Sequence, residues 1–221
     1  MMKTAKEWNK IGLEQLTSGH VDKALDAFQK AYEIDPNDPE PYCNIGNVLA
    51  SSGYNDDAIV WFKRSLQLDS DFSIARYGFG NALYNMKQFD EALQQYEQAA
   101  ALGMDHHDLF FMTGMTNFHL EKLDESISFF DRCLETDPAD VEALFTKGLA
   151  WARLGNILDA KQVFEEVVKL DPTHADGYFN LGVAYAYSEN LTKAKKFLEQ
   201  AIKLNPNHTL ALNTLKQLKN L

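Results

Sequence analysis

Six glycines fall at one phase of the chain: Gly12, Gly46, Gly80, Gly114, Gly148 and Gly182 are each 34 residues apart. Only 12 of the 221 residues are glycine, so six hits at a single phase mark an internal repeat rather than chance. Each lies inside a helical apolar pattern, where glycine costs about 0.5–1 kcal/mol against alanine. Keeping six of them there requires that something approach each helix where a side chain would stand. The repeat divides residues 5–208 into units 5–38, 39–72, 73–106, 107–140, 141–174 and 175–208.

Other phases show what approaches. Twelve residues after each glycine comes a small residue: Ala24, Ala58, Ala92, Ser126, Ala160 and Ala194. Four further on stands a large one: Phe28, Phe62, Tyr96, Phe130, Phe164 and Leu198. Three beyond that are mostly small residues: Ala31, Ser65, Ala99, Cys133, Val167 and Ala201. Spacings of four and three put these positions on one helical face. Trp8, Tyr42, Phe110, Leu144 and Tyr178 precede their glycines by four, with Arg76 as the exception. Gly19, Gly53 and Gly155 mark a turn inside a unit, where a left-handed residue ends the first helix. Pro36, Pro138, Pro172 and Pro206, each after Asp or Asn, end the second helix. Each unit is therefore expected to be two antiparallel helices joined by a tight turn.

With Trp8 as position 4 of a unit, the pattern W-x2-[IL]-G…A-x3-F-x2-A…P resembles the tetratricopeptide repeat (TPR), over residues 5–208. The whole chain is similar to small free-standing repeat proteins of Gram-positive bacteria. The resemblance implies an all-α, right-handed TPR superhelix, an α-solenoid of six helix-turn-helix repeats forming a single domain over 1–221. Residues 209–221 read as a C-terminal capping helix, with Leu212 and Leu215 keeping the apolar phase and Lys216 where full units have glycine.

The resemblance also implies that the first helices line a concave face and that positions 2, 5, 6, 9, 12 and 13 of each unit point into it. Position 5 gives an aromatic stripe, Tyr77, Phe111, Phe145 and Phe179, after Asn9 and Cys43. Positions 6 and 9 supply Asn44, Met112, Asn180, Asn47, Asn81, Met115, Leu149 and Val183. Positions 12 and 13 add Tyr84, Phe118, Asn85, His119, Arg153 and Tyr187. Apolar side chains beside amides suit an extended peptide: the first supply burial, and each Asn pairs with backbone N–H and C=O. The partner-binding groove is therefore expected at Asn44, Asn47, Tyr77, Asn81, Tyr84, Phe111, Met112, Met115, Phe118, Phe145, Arg153, Phe179, Asn180 and Tyr187. The expected function is a protein-interaction scaffold or adaptor holding a protein or peptide segment. The alternative is a self-associating scaffold that uses Trp61 or Phe197 on second helices, or its ends.

Charge bounds the partner. The net charge of −11 argues against a nucleic-acid backbone, which needs clustered Lys and Arg. Repeat 4 carries eight acids against two bases. Glu40, Asp108, Glu142 and Asp176 at position 2 suit a basic-flanked partner or simply complement helix starts, and the second reading is favoured. The family's clamp for Hsp70 and Hsp90 carboxylate tails needs Lys and Asn, then Asn, then Lys and Arg, in three successive units. Here Asn9 pairs with Leu13 at the first start, and at the second Cys43 and Asn47 are followed by Gly78, Asp108 and Met112, so that partner is not expected.

No apolar run approaches the roughly 20 residues of a bilayer span, and the first residues lack a signal peptide's apolar stretch. With two cysteines, a cytoplasmic location and no membrane association are expected. Cys133 reads as a small core residue, and Cys43 as a candidate exposed thiol of the groove. Consecutive Asp105-His106-His107-Asp108 fan out at a helix start instead of converging on a metal. Thr113, Asn117 and Lys147 break the apolar pattern, with Lys147 either donating to Asn117 or marking a softer joint. No nucleophile elbow, phosphate loop or zinc spacing is present, so neither an enzyme nor a cofactor is expected.

Overall fold

The computed structural model of the chain describes residues 3–219. Among these, the regular elements are thirteen helices: α1 Ala5–Thr17, α2 Val21–Ile34, α3 Pro39–Ser51, α4 Asn55–Leu68, α5 Ser73–Asn85, α6 Phe89–Ala101, α7 His107–His119, α8 Leu123–Thr136, α9 Val141–Arg153, α10 Ile157–Leu170, α11 Ala175–Tyr187, α12 Leu191–Leu204 and α13 Thr209–Lys219. None is long and apolar enough to cross a membrane. This is the expected architecture: six helix pairs and one more first helix.

The chain forms two compact units, one ending at Thr116 and the other beginning at Asn117, so the boundary falls within α7. In the first unit each helix packs on the next from α1 to α6, and α3 also touches α5. In the second, α8 to α13 pack in succession and α11 also touches α13. Contact between every second helix lays first helices side by side, which is the solenoid arrangement.

The glycine phase is explained by the residue sixteen positions on. A Cβ on Gly46 would stand 2.8 Å from the Phe62 ring, on Gly80 2.6 Å from Tyr96, on Gly148 2.6 Å from Phe164, and on Gly182 2.9 Å from Leu198. Gly12 meets Phe28 in the same way. Phe28, Phe62, Tyr96, Phe164 and Leu198 are fully buried, as are Ala24, Ala58, Ala92, Ala160 and Ala194. Tyr96 fills a phenylalanine slot because its hydroxyl finds an acceptor, Asn81 Oδ1, at 2.7 Å.

Side chains stop and start the helices. Asp35, Asp69, Asp137, Asp171 and Asn205 end second helices, and each accepts a backbone N–H two residues on, at 2.8–3.1 Å. For Asp171 the Thr173 hydroxyl, together with this backbone bond, holds the carboxyl below its ordinary range. Repeat 3 departs from this: α6 ends at Ala101 and the chain turns through Gly103 at φ 89°. Thr4 and Glu7 form a capping box at α1, and Asp38 and Asp140 cap α3 and α9.

Where the repeat pattern breaks, side chains find local partners, and one expectation, at Leu212, needs correction. Arg76 replaces an apolar group because its guanidinium folds onto the Ser70 carbonyl and the Gln95 and Gln98 side chains. Lys147, half-buried at an apolar phase, is paired with Asp131 at 2.6 Å. Thr113 is buried with its hydroxyl on the Leu109 carbonyl, 2.6 Å away. In α13 the seam is Ala211, Leu215 and Leu218, whereas Leu212 is 42% exposed, because among the described residues no second helix stands beside that phase.

Candidate functional site

In each unit the candidate face is its row of first helices at positions 5, 6, 9, 12 and 13. In the first unit its amides are already engaged. Asn44 donates to Asn9 Oδ1 at 2.9 Å, and Asn9 donates to Glu40 at 2.9 Å, tying repeats 1 and 2 together. Asn47 Nδ2 lies 3.8 Å from the Cys43 sulfur. Asn81 accepts from Tyr96 and also pairs with Tyr77. Cys43 is not the exposed thiol expected: it is 1% exposed, because the first helix of the next repeat closes over position 5 here. Cys133 is buried as expected.

The aromatic and Met groups are half-buried. Tyr77 packs on Tyr96, with ring centres 5.9 Å apart, and meets His106 edge-on at 5.7 Å. Tyr84 meets Phe89 at 5.4 Å, and Phe111 lies nearly parallel to His107 at 6.4 Å. Met112 packs on the cluster of Leu83, Tyr96 and Leu109, and Met115 keeps part of its surface in water.

In the second unit Phe145 packs against His174 at 4.6 Å and Phe179 against His208 at 4.8 Å. His106, His174 and His208 all stand at position 34, just before a first helix. The Nδ1 of each accepts a backbone N–H from that helix, at 3.4, 2.9 and 3.3 Å. The position-5 aromatic and the position-34 imidazole thus form a recurring joint between neighbouring repeats of the same compact unit. The recurrence of His at one phase is legible in the sequence but did not point to it. His208 Nε2 also lies 3.0 Å from Asp176 Oδ1, out of line for a hydrogen bond.

Arg153 is committed internally. Its guanidinium covers the Phe118 ring at 4.1 Å and pairs with Glu121 at 2.7 Å. Phe118 is consequently only 7% exposed. Asn180 donates to the Asp176 carbonyl of its own helix at 2.9 Å. Tyr187 is the opposite case, 74% exposed. It stands at the mouth of a cavity of about 400 Å³ that Ala152, Ile157, Phe164, Asn180 and Val183 also line. Sequence reasoning passed over Ala152; its signal is a small residue at position 12 where the two preceding repeats carry Tyr84 and Phe118.

The second-helix aromatics Trp61 and Phe197 are largely covered by their own neighbours. Trp61 packs on Tyr32 and Tyr42 at 5.8 and 5.9 Å, and Phe197 stacks on Tyr178 and Tyr185 at 6.2 and 5.3 Å.

Sequence profiles described as tetratricopeptide repeat match residues 39–72, 77–141, 141–174 and 175–208, and one described as TPR repeat matches 12–53. Among solved structures, YrrB, described as "a TPR protein with an unusual peptide-binding site", is 37% identical. The match covers 87% of this chain and 99% of that one, with a TM-score of 0.81. Two more distant structures, each 18% identical, share the fold. PilF of Pseudomonas aeruginosa matches over 96% of this chain and 97% of its own, with a TM-score of 0.79. MamA from Desulfovibrio magneticus RS-1 matches over 77% and 97%, with a TM-score of 0.72. No curated protein matches the chain.

Proposed function

Because this chain belongs to the tetratricopeptide-repeat family, we propose that it is an adaptor that holds an extended segment of another protein along a row of first helices, and that it binds without catalysing a reaction. The observation that carries this reading is the run of incompletely covered apolar groups on that row. These are Tyr84, Phe111, Met112 and Met115 in the first unit, and Phe145, Phe179 and Tyr187 in the second. Met side chains adapt to varied partners and aromatic anchors dominate the energy of peptide interfaces. The 37% identity to YrrB, itself described by a peptide-binding site, supports the same reading.

The internal hydrogen bonds refine how binding works. Asn44 and Asn180 each spend one polar group on the protein, which fixes the amide and leaves its second group for a peptide backbone, whereas Asn81 is engaged by both Tyr96 and Tyr77. The rim acids Glu142 and Asp176 are exposed and suit Lys or Arg flanking the apolar part of a bound segment. Hsp70- and Hsp90-type carboxylate tails remain unsuited, since this row lacks the required lysines.

Selection of a random peptide library on the intact protein tests the proposal. Selected peptides should bind the wild type and lose about tenfold or more in affinity, read by fluorescence anisotropy, to Phe111→Ala/Met115→Ala or to Tyr187→Ala, at unchanged helicity. Peptides that bind all three proteins equally would move the interface off this row. A mass that rises with concentration would favour self-association instead.

A further inference from the structure

Within the second unit, the same crevice between neighbouring repeats occurs twice, once filled and once open. At the first occurrence Phe118, from position 12, packs among Leu123, Leu149 and Ala150 with Arg153 over its ring. Thirty-four residues on, the equivalents of those three walls are Ile157, Val183 and Ala184, and all three line the cavity of about 400 Å³. The equivalent of the phenylalanine is Ala152, and that of the covering Arg153 is the exposed Tyr187. In the first unit, where position 12 is also alanine, Ala50, the residues equivalent to Tyr187 and Ile157 are joined by Asn85 donating to Asn55, at 3.2 Å. Ile157 and Tyr187 stand at those two positions in the open crevice, and they form no such bridge.

We infer that this cavity is a specificity pocket for one neutral aromatic side chain of the bound segment, which takes the place that Phe118 fills in the preceding repeat. This rests on the adaptor reading and names what one point of the row selects. The chemistry is set by the walls. None of the lining residues is charged, so a Lys, Arg, Asp or Glu side chain would lose water without gaining a partner. The cage that matches it holds a phenyl ring covered by a flat side chain, and Tyr187 supplies the flat cover here. Asn180, on the same wall, is placed to hold the backbone of the residue that delivers the ring.

The test uses N-acetyl-L-phenylalaninamide as probe, with N-acetyl-L-leucinamide and N-acetyl-L-alaninamide as contrasts, and reads the methyl resonances of Ile157 and Val183 in the full-length protein. The phenylalanine amide should give saturable shifts, the leucine amide at least fivefold weaker ones and the alanine amide none. Ala152→Phe should keep full helicity and abolish the shifts, because its own ring fills the cage. Tyr187→Ala should leave the fold intact and weaken the probe about fivefold. Equal response to the leucine amide, or shifts that persist in Ala152→Phe, would overturn the proposal. So would loss of helicity in Ala152→Phe, since the crevice would then not be a ring-sized vacancy. A mass that falls to monomer only in Ala152→Phe would assign the pocket to a second copy of the chain and overturn the partner assignment. The probe needs no peptide, so peptides that bind the row indifferently to Ala152→Phe sink the pocket alone. Failure of every peptide alongside intact probe binding sinks the adaptor reading alone.

Discussion

Cys43 shows how one position can change character between sequence and fold. It shares a phase with Tyr77, Phe145 and Phe179, yet it is sealed while they are half-open. Burial pushes its thiol up to about 12, with Asn47 opposing and Glu40 adding to the shift. The thiolate is the nucleophile, so iodoacetamide at pH 8 should leave Cys43 unlabelled in the native protein and label it on unfolding, which peptide mass mapping reads. The linkage has a definite sign. A raised folded value means that the stability this thiol contributes is complete below the ordinary cysteine range and is lost as pH climbs toward 12, so Cys43→Ala should flatten the alkaline limb of the stability profile. A second prediction rests on backbone conformation. At the turn inside a repeat, Gly53 and Gly155 adopt φ 86° and 80°, but the same phase holds Lys87, Glu121 and Glu189 at φ 61°, 57° and 59°. A left-handed residue with a Cβ costs about 1–2 kcal/mol, and glycine gives back about 0.5–1 kcal/mol of that in chain entropy. Lys87→Gly and Glu189→Gly should therefore each stabilise by up to about 1 kcal/mol in urea unfolding. Glu121→Gly should gain less, because Arg153 loses its carboxylate.

At the scale of the helix pair, the glycine and the ring that faces it act as one unit. Gly148→Ala drives a methyl to 2.6 Å from the Phe164 ring and should destabilise by about 1–3 kcal/mol despite alanine's better helix propensity. Repeat 6 pairs Gly182 with Leu198. Gly148→Ala/Phe164→Leu should accordingly be more stable than the sum of its two single variants, a coupling that a double-mutant cycle reads directly. The Lys147–Asp131 pair is a different solution at a helix interface. Lys147 takes the phase at which Ile45 and Leu181 are buried, and its partner is half-exposed, so the pair itself adds little. Lys147→Leu should leave the thermal midpoint unchanged or higher, while Asp131→Ala should lower it by leaving a half-buried ammonium without its carboxylate. If both variants fall equally, the ion pair is a net stabiliser of the α8–α9 contact.

Across the whole molecule, the helix pairs were legible because their signal is written six times. Each glycine, small residue and large residue repeats at a fixed interval, and the glycine and the large side chain that faces it lie in the same repeat. The candidate face was legible as a set of positions but not as a set of free groups. Asn44 meets Asn9, and Arg153 meets Glu121 and Phe118, across a spacing of about one repeat, and such pairings depend on side-chain reach that periodicity does not encode. The open crevice was missed because its signal at Ala152 is a side chain that is not there. The same nearest-neighbour construction governs stability. In a repeat array each unit is held by its own core and by the contact with its neighbours, so damage at one end should stay local. α13 covers Leu181 and Leu198 with Ala211, Leu215 and Leu218. Deleting residues 209–221 removes two buried leucines, each contributing about 1.5–3 kcal/mol, and bares the side of α11 and α12 on which they pack. Hydrogen exchange should then accelerate by two orders of magnitude or more in α11 and α12, less in α9 and α10, and not measurably in α1 to α6. Equal acceleration from α1 to α12 would show that the array unfolds as one cooperative body, and the local picture of its stability would have to be abandoned.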